Sequence, residues 1–228
     1  MIARGVVFML AAALALAPFA ATAGEAGTGA DEIVASLQAV YEGVDVLKAS
    51  FVQETTARAL RKTFAEKGTL YFKKPAKMLW DYDEPAGKKI IMDGRFLWMV
   101  MPGEPHVYRQ AFSKAFETST PLAFLTGVGR LDDEFRITVA PASAGTGEDA
   151  VHRLTLEAKA KDSPIRPMEL LVDGTSFLVT AVESTDLLGN VTEIHFDHIE
   201  INVELAEDLF VYTPPPGVHV VEPPALIR

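Results

Sequence analysis

The chain has 228 residues, with 31 acidic against 21 basic side chains, a formal net charge of −10 and no cysteine. This acidic balance argues against nucleic-acid binding and against simple adsorption to anionic lipid, because both favour basic surfaces. Without disulfides the fold depends on burial of an apolar core, which a chain of this length can supply.

The N-terminal residues are typical of a secretory signal peptide. Arg4 precedes an apolar run over 6–19, and an A-x-A cleavage pattern follows at 21–23. The run is shorter than the roughly 20 apolar residues of a membrane-spanning helix, so an uncleaved anchor is the less favoured alternative. The sequence predicts a signal peptide over 1–23 and one domain over 24–228, whose 20 basic and 31 acidic side chains give a net charge of −11. Since there is no lipobox cysteine, we expect a soluble periplasmic protein.

One amphipathic helix opens the predicted domain, and strands follow it. Asp31 is a suitable N-cap, and the helical period ends near Gly43. The apolar stripe of this helix comprises Ile33, Val34, Leu37, Val40 and Tyr41. From residue 46 the apolar period changes to two, which predicts strands. The predicted strands are 46–55, 66–74, 77–83, 88–93, 95–101, 135–139, 151–158, 166–173, 176–185 and 190–203. Asp93-Gly94 and Asp173-Gly174 are hairpin signals.

The regular alternation stops at Phe112. Residues 110–127 are rich in phenylalanine and leucine, and Ser119-Thr120-Pro121 interrupts them with a helix-start signal. Two short helices in series are therefore predicted, and their apolar residues are Phe112, Phe116, Leu122, Phe124 and Leu125. Such a segment is either a reversible cover over a cavity or a fixed plug that completes the core.

These elements predict a mainly β (α+β) fold. About ten strands at hairpin spacing, one leading helix and a short helical insertion favour a large, curved antiparallel sheet, and the pattern lacks the alternation of a doubly wound fold. The sequence has no internal repeat and no domain linker.

The residue patterns give no support to catalysis. There is no cysteine nucleophile and no G-x-S-x-G elbow, and Gly127-Val128-Gly129 lacks the rest of a phosphate-loop fingerprint. His195 and His198 are three apart, a spacing that points them to opposite faces of a strand, so we expect no shared metal, with one histidine outward and one near a bulge. Asp81, Asp83 and Glu84 are expected to be solvated acids beside a turn. We predict a non-enzyme with no metal and no cofactor.

Apolar residues occupy both faces of one predicted strand. Phe96, Trp98 and Val100 lie on one face, and Leu97, Met99 and Met101 lie on the other, so both faces must be covered. A sheet between helices and a core is the plain interpretation. Four of the five methionines after the leader, Met78, Met92, Met99 and Met101, fall within 24 residues. Methionine is flexible and polarisable, which suits a surface that accepts variable apolar partners.

The run KKPAKMLWDYDEP, residues 73–85, places Met78, Trp80 and Tyr82 on one face directly after a Lys-Lys-Pro corner. The run is either ordinary core beside a turn or one wall of an apolar site.

The chain resembles the LolA family of periplasmic lipoprotein carriers over nearly the whole predicted domain. The resemblance depends on five ordered segments: Ala49-Ser50-Phe51-Val52-Gln53, Gly68-Thr69-Leu70-Tyr71-Phe72-Lys73-Lys74-Pro75 with Trp80, Asp93-Gly94-Arg95-Phe96-Leu97-Trp98, Ser119-Thr120-Pro121-Leu122, and Phe210 to Val218. The resemblance implies an incomplete antiparallel β-barrel of about ten to eleven strands, with an N-terminal helix and short lid helices covering an apolar cavity. It also implies acylated lipoproteins as cargo, an inner-membrane ABC lipoprotein-releasing complex as donor and an outer-membrane acceptor lipoprotein. No cofactor or metal is implied, and we expect a monomer that does not bind nucleic acid.

The resemblance also assigns candidate residues. The predicted cavity wall comprises Met78, Trp80, Phe96, Trp98 and Val100, extended by Leu37 and Val40 of the opening helix. The predicted lid comprises Phe112, Phe116, Leu122, Phe124 and Leu125. Lys74 stands where the family usually has an arginine that hydrogen-bonds the lid backbone. Lysine keeps the charge but loses the planar fork, which predicts a looser latch, with Lys73 or Arg95 as possible contributors.

Three alternatives remain open at the level of sequence. The same fold serves a periplasmic sensor of lipid or lipoprotein, which usually has a second domain. It also serves a carrier of another amphiphile, such as a glycolipid or a pigment precursor. The third is an enzyme acting on envelope lipid, but the sequence has neither a nucleophile motif nor a metal-binding pattern.

Overall fold

The computed structural model describes residues 28–111, 131–140, 150–160 and 166–222. Within them, helix α1 spans Thr28–Glu42, and a single-turn helix spans Leu131–Glu134. The first six strands are β1 (Val46–Ala57), β2 (Lys62–Lys73), β3 (Lys77–Glu84), β4 (Lys89–Asp93), β5 (Phe96–Val100) and β6 (His106–Ala111). The other six are β7 (Phe135–Val139), β8 (Val151–Ala158), β9 (Met168–Asp173), β10 (Val179–Thr185), β11 (Val191–Ile201) and β12 (His219–Val221). A 3₁₀ helix spans Glu207–Phe210.

All twelve of these strands form one sheet, in the order β12-β6-β5-β4-β3-β2-β1-β11-β10-β9-β8-β7. Neighbours are antiparallel except for β12, which pairs in parallel with β6. The two outermost strands, β12 and β7, are not paired with each other, so the sheet is open. This confirms the predicted fold class, with twelve strands in place of ten to eleven.

Helix α1 covers one face of the sheet, which we call the inner face. The inner face comprises the residues in register with Leu47, Ala49 and Phe51 of β1. Helix α1 contacts the sheet at the β2–β3 corner, at β10 and at β7, so the sheet wraps around it. The opposite, outer face carries the C-terminal segment 203–222 over β3 to β6.

Burial separates the two faces. The largest fully buried side chains of the inner face include Phe51 and Leu37, and the apolar cluster continues through β8, β9 and β10 with Leu154, Leu170 and Val179. Full burial of one such side chain stabilises the fold by about 1.5–3 kcal/mol. The main core therefore lies between α1 and the inner face, and a smaller buried cluster lies on the outer face under the C-terminal segment.

The strand histidines agree with their prediction. His195 is exposed and its Nε2 lies 2.7 Å from Glu193 Oε1. His198 has a φ of 51° and lies where the β1–β11 register shifts, which is a bulge. Among the described residues, no cluster of His, Asp or Glu is arranged to hold a metal ion.

No helix within the described ranges is both long enough and apolar enough to cross a bilayer.

Candidate functional site

Three cross-strand rows build the inner face at its centre. Directly paired residues of neighbouring strands share a face, so the pairing register identifies each row. The first row is Leu47, Phe72, Met78, Met92 and Leu97. The second row is Ala49, Leu70, Trp80, Ile90 and Met99. The third row is Phe51, Gly68 and Tyr82. Three methionines therefore lie among aromatic and aliphatic side chains on one continuous apolar surface.

Gly68 creates the space in which the aromatic side chains meet. A Cβ at Gly68 would lie 2.0 Å from the carbonyl oxygen of Asp81, so no larger residue fits there. Because the middle residue of the row has no side chain, the rings of Phe51 and Tyr82 meet edge to face with centroids 5.0 Å apart. Phe51 also contacts Trp80 edge to face at 4.8 Å. Edge-to-face pairs of this kind add about 0.5–1.5 kcal/mol beyond burial.

Trp80 and Met78 form an adaptable pair on this surface. Both are buried, and the indole Nε1–H of Trp80 donates to Sδ of Met78 at 3.1 Å. A thioether is a weak acceptor, and an unbranched methionine side chain changes shape at little cost. The pair can therefore rearrange around an apolar guest without leaving a strong hydrogen bond broken.

Helix α1 covers these rows with Leu37, which is fully buried, and with Val40, which is half-buried. At its C-terminal end, the Tyr41 hydroxyl accepts a hydrogen bond from the Val179 backbone N–H at 3.1 Å. Burial raises the pKa of Tyr41 to about 12, against the opposing effect of that hydrogen bond. Tyr41 is therefore a neutral anchor that ties α1 to β10.

Lys74, at the β2–β3 corner, holds the same end of α1. Its Nζ donates to the backbone carbonyls of Tyr41 at 2.8 Å and of Glu42 at 3.0 Å. These are carbonyls of the last helical turn, where a cation also interacts favourably with the helix dipole. The described contacts of Lys74 are thus with the backbone of α1, and its role as a latch on the predicted lid stays a prediction. Any contact with the predicted lid falls outside the described residues.

Polar side chains border the apolar rows on the same face. Glu66 accepts from Gln53 Nε2 at 3.0 Å and from Lys88 Nζ at 2.7 Å, and Tyr82 donates to Gln53 at 3.3 Å. The Lys88 ammonium lies 4.1 Å from the Tyr82 ring centroid. Burial, and then the charge of Glu66, raise the pKa of Tyr82. The inner face therefore changes from apolar at the Lys74 end to polar toward the β1–β2 turn.

The structure divides the predicted wall between two faces. Met78, Trp80, Leu37 and Val40 belong to the inner face. Phe96, Trp98 and Val100 instead face outward and pack with Leu79, Ile91 and Phe210. The prediction that Phe96, Trp98 and Val100 share one wall with Met78 and Trp80 is therefore corrected. The hairpin register pairs Met92 with Leu97, so the odd-numbered residues of β5 point to the inner face. Leu97 and Met99 are the β5 residues of the inner face.

The C-terminal segment covers the outward-facing residues. Phe210 is fully buried against them, and the Tyr212 ring lies 5.4 Å from that of Trp98. The Trp98 indole N–H donates to Asp93 Oδ2 at 2.9 Å. Burial acts to raise the pKa of Asp93, but hydrogen bonds from Trp98 and from the Phe96 and Arg95 N–H groups outweigh it and lower that pKa. Outer-face apolarity is thus accounted for by internal packing.

An ion-pair bracket fixes this segment to the β2–β3 corner. Glu207 Oε1 lies 2.5 Å from Lys73 Nζ, and its Oε2 lies 2.5 Å from Lys77 Nζ. Hydrogen bonds from Lys73 and then Lys77 lower the pKa of Glu207 to about 2. Lys73, considered as a possible latch residue, therefore serves the C-terminal segment, and Arg95 is exposed beside Phe96.

The five predicted lid residues, Phe112, Phe116, Leu122, Phe124 and Leu125, lie outside the described residues. Among described residues, Phe51 and Phe196 contact the Trp80 ring and were not predicted as site residues. Tyr82, predicted to share a face with Met78 and Trp80, contacts Phe51. The signal for Phe51 was present, because it alternates with Ala49 and Gln53 in a predicted strand.

The fold and the inner face define a protein of the class that encloses an apolar layer between an open antiparallel sheet and a covering helix. The family profile described as "Outer membrane lipoprotein carrier protein LolA" matches residues 42–213. This match spans well over half of the chain, and the chain belongs to the LolA family.

Named relatives agree with this assignment. The chain is 31% identical over 178 residues to the outer-membrane lipoprotein carrier protein of Dechloromonas aromatica, covering 77% of this chain and 80% of the relative. It is 29% identical over 202 residues to the protein of the same name from Chromobacterium violaceum, covering 89% and 93%.

Solved structures share the fold. An uncharacterized conserved protein from Thermus thermophilus superimposes with a TM-score of 0.54 at 10% identity, covering 86% of this chain and 99% of the other. A DUF1329 family protein from Desulfovibrio piger superimposes with a TM-score of 0.51 at 14% identity, covering 83% and 98%. At such identities the likeness concerns fold alone.

Proposed function

We propose that this protein is a soluble periplasmic carrier that binds the acyl chains of lipoproteins released from the inner membrane and delivers them to an outer-membrane acceptor. The observation that carries the proposal is the continuous inner face of aromatic side chains and methionines beneath α1, where the Trp80 indole N–H donates to a thioether. The names of the relatives, outer-membrane lipoprotein carrier proteins, support the same cargo.

The energetics of the cargo explain why such a surface is needed. Transfer of an acyl chain of about 15 methylenes from a bilayer to water costs roughly 12 kcal/mol of free energy, at ~0.8 kcal/mol per CH₂. A lipoprotein with several chains would therefore not cross an aqueous compartment unaided. A carrier needs a surface nearly as apolar as the bilayer interior, and it must still release the acyl chains. Methionine-rich walls suit that requirement.

Loading on this proposal separates α1, together with the predicted lid, from the inner face. Lys74 and Tyr41 hold the C-terminal end of α1, which makes that end the fixed side of the opening. The free energy gained when α1 and the predicted lid close over the inner face then opposes loading and assists release. An ABC lipoprotein-releasing complex would supply the work of loading, and no catalytic step by this chain is involved.

The polar border gives the cargo an orientation. Acyl chains on the rows of Met78 and Trp80 would leave the polar part of the lipoprotein near Gln53, Glu66 and Lys88, at the end of the inner face toward the β1–β2 turn. The folded part of the cargo would then project beyond that end of the sheet.

Binding of a synthetic triacylated lipopeptide tests the proposal. Met99→Gln and Val100→Gln form a matched pair, since the two residues are adjacent, half-buried and on opposite faces. A polar group among the acyl chains should weaken binding by Met99→Gln about 10-fold, whereas Val100→Gln should bind like wild type. The measurement is displacement of a fluorescent acyl probe.

Two results would contradict the proposal. The first is failure of the wild-type protein to bind the lipopeptide. The second is an equal loss in both variants, which would mean that the inner face has no special part in binding. Binding of a glycolipid in preference to the lipopeptide would favour a carrier of another amphiphile.

A further inference from the structure

Two neighbouring turns at one end of the sheet expose large apolar side chains. Leu60 in the β1–β2 turn is 68% exposed, and Leu187 and Leu188 in the β10–β11 turn are 66% and 80% exposed. Phe64, just inside β2, is 42% exposed. Monomeric proteins seldom gather exposed leucines in this way unless the surface meets a partner. We call residues 58–64 and 186–190 the tip.

The two turns are joined into one structure. Strands β1 and β11 are paired up to Thr56 and Val191, which brings the turns side by side. The Arg58 N–H donates to Asn190 Oδ1 at 3.0 Å, and a Cβ placed on Gly189 would lie 3.0 Å from the Arg58 guanidinium. The exposed leucines therefore belong to a single surface.

Local hydrogen bonds hold the leucines outward. Asp186 Oδ1 accepts from the N–H groups of Leu188 at 2.8 Å and Asn190 at 2.9 Å, and Asp186 Oδ2 accepts from Asn190 Nδ2 at 2.8 Å. These contacts fix the turn backbone in the conformation in which Leu187 and Leu188 are exposed. Their exposure is a property of the turn.

The tip also projects beyond its neighbours. Residues 62–66 of β2 pair with β1 alone, because the pairing with β3 begins at Lys67 and Glu84. At this end β2 therefore extends beyond β3. A projecting end with exposed leucines fits a deformable surface better than the shaped pocket of a protein.

Charge at the tip opposes that of the whole chain. The tip contains three basic side chains, Arg58, Arg61 and Lys62, and one acid, Asp186. Its net charge is therefore +2, in a chain of net charge −10. Basic side chains beside exposed leucines are the composition of segments that lie at the surface of anionic bilayers. The acidic remainder of the molecule would be repelled by the same surface, which favours an approach through the tip.

We propose that the tip docks directly on an anionic phospholipid bilayer, with Leu60, Leu187 and Leu188 entering the interface and Arg58, Arg61 and Lys62 meeting the phosphates. Few apolar side chains are involved, so the contact is reversible. The tip lies beyond the polar border of the inner face, at the end where Gln53 and Glu66 are found. Docking therefore turns that end of the inner face toward the membrane.

Vesicle flotation tests this inference without cargo. The vesicles are equal parts phosphatidylethanolamine and phosphatidylglycerol and contain no lipoprotein. Wild type should float with them, and the double variant Leu187→Ser/Leu188→Ser should bind at least about 10-fold less. Arg61→Gln/Lys62→Gln should show a similar loss, and raised salt should release the wild type.

A matched control keeps the result specific. Val211→Ser removes an equally exposed apolar side chain, 68%, far from the tip and should float like wild type. Lack of flotation by wild type, or flotation of the leucine variant equal to wild type, would overturn the inference. Lipopeptide binding by the leucine variant should remain at the wild-type level, so failure of docking is distinguished from failure of the carrier proposal.

Discussion

At the scale of single residues, Lys74 holds the C-terminal end of α1. Lysine has no planar fork, yet its ammonium reaches two carbonyls of the last turn of α1. An ammonium has three rotatable donors, which is sufficient for two convergent carbonyls. Lys74 therefore ties the β2–β3 corner to the last turn of α1.

Replacement of Lys74 by methionine should loosen α1. The variant loses two charge-assisted hydrogen bonds and leaves two terminal carbonyls without this donor, so we expect the free energy of unfolding to fall by about 1–3 kcal/mol. Urea denaturation followed by tryptophan fluorescence measures the change. Lys67→Met is the control, because Lys67 is 53% exposed and pairs with exposed Glu84. Equal midpoints for Lys74→Met and wild type would contradict this role.

Residue-level prediction from sequence succeeded where a pattern has only one interpretation. Met78 and Trp80 alternate in a strand whose other face is part polar, so their face was predictable, although their role in binding remains a prediction. In β5 both faces are apolar, and the choice between Trp98 and Met99 depends on the register of two successive hairpins. Alternation alone does not contain that information.

At the scale of elements, the C-terminal segment is the least expected feature. Its 3₁₀ helix and β12 cover the outer face of β3 to β6, and so the apolar residues Trp98 and Leu79 are internal packing. Strands β6 and β12 were not predicted. His106–Ala111 mixes polar and apolar residues, and β12 has three exposed residues that are ordered by pairing with β6. Tertiary pairing, more than local propensity, forms both strands.

The bracket at Glu207 predicts a pH-dependent hold on this segment. The fold lowers the pKa of Glu207 from its ordinary 4.5 to about 2, so the bracket stabilises the fold fully above pH 4.5 and is lost as the pH falls toward 2. At pH 7, Glu207→Gln should unfold at a lower temperature than wild type, and the difference should vanish near pH 2. The effect is modest because Glu207 is exposed and salt screens it.

Thermal unfolding monitored by near-ultraviolet circular dichroism measures this difference, since Trp98 lies under the segment. Glu204→Gln is the control, an exposed acid of the same segment outside the bracket. A difference between Glu207→Gln and wild type that persists unchanged at pH 2 would show that the bracket is not its cause.

At the scale of the whole molecule, the fold class and the family were both predictable. Hairpin spacing, the single leading helix and the ordered family segments all indicated an open antiparallel sheet, and the structure confirms it. The wrapping of the sheet around α1 was not predictable from the sequence, because it arises from contacts such as that of Tyr41 with Val179, which are 138 residues apart. The tip likewise depends on two turns that are distant in sequence.

The molecule as a whole has a polarity along the sheet. Lys74 and Tyr41 fix α1 at one end, the apolar rows of Met78 and Trp80 occupy the middle, and polar groups and the tip follow toward the other end. This order matches an amphiphile whose acyl chains lie in the middle and whose polar part emerges at the tip end. On the proposed function, the cargo would enter and leave through that end.

Native mass spectrometry of the protein recovered from the periplasm tests the central claim most directly. The proposed function predicts that a fraction of the protein carries an acylated lipoprotein, identified by the masses of its peptide and acyl chains after dissociation. Recovery of the protein with free phospholipid or glycolipid alone, while lipoproteins are being exported in the same cells, would contradict it.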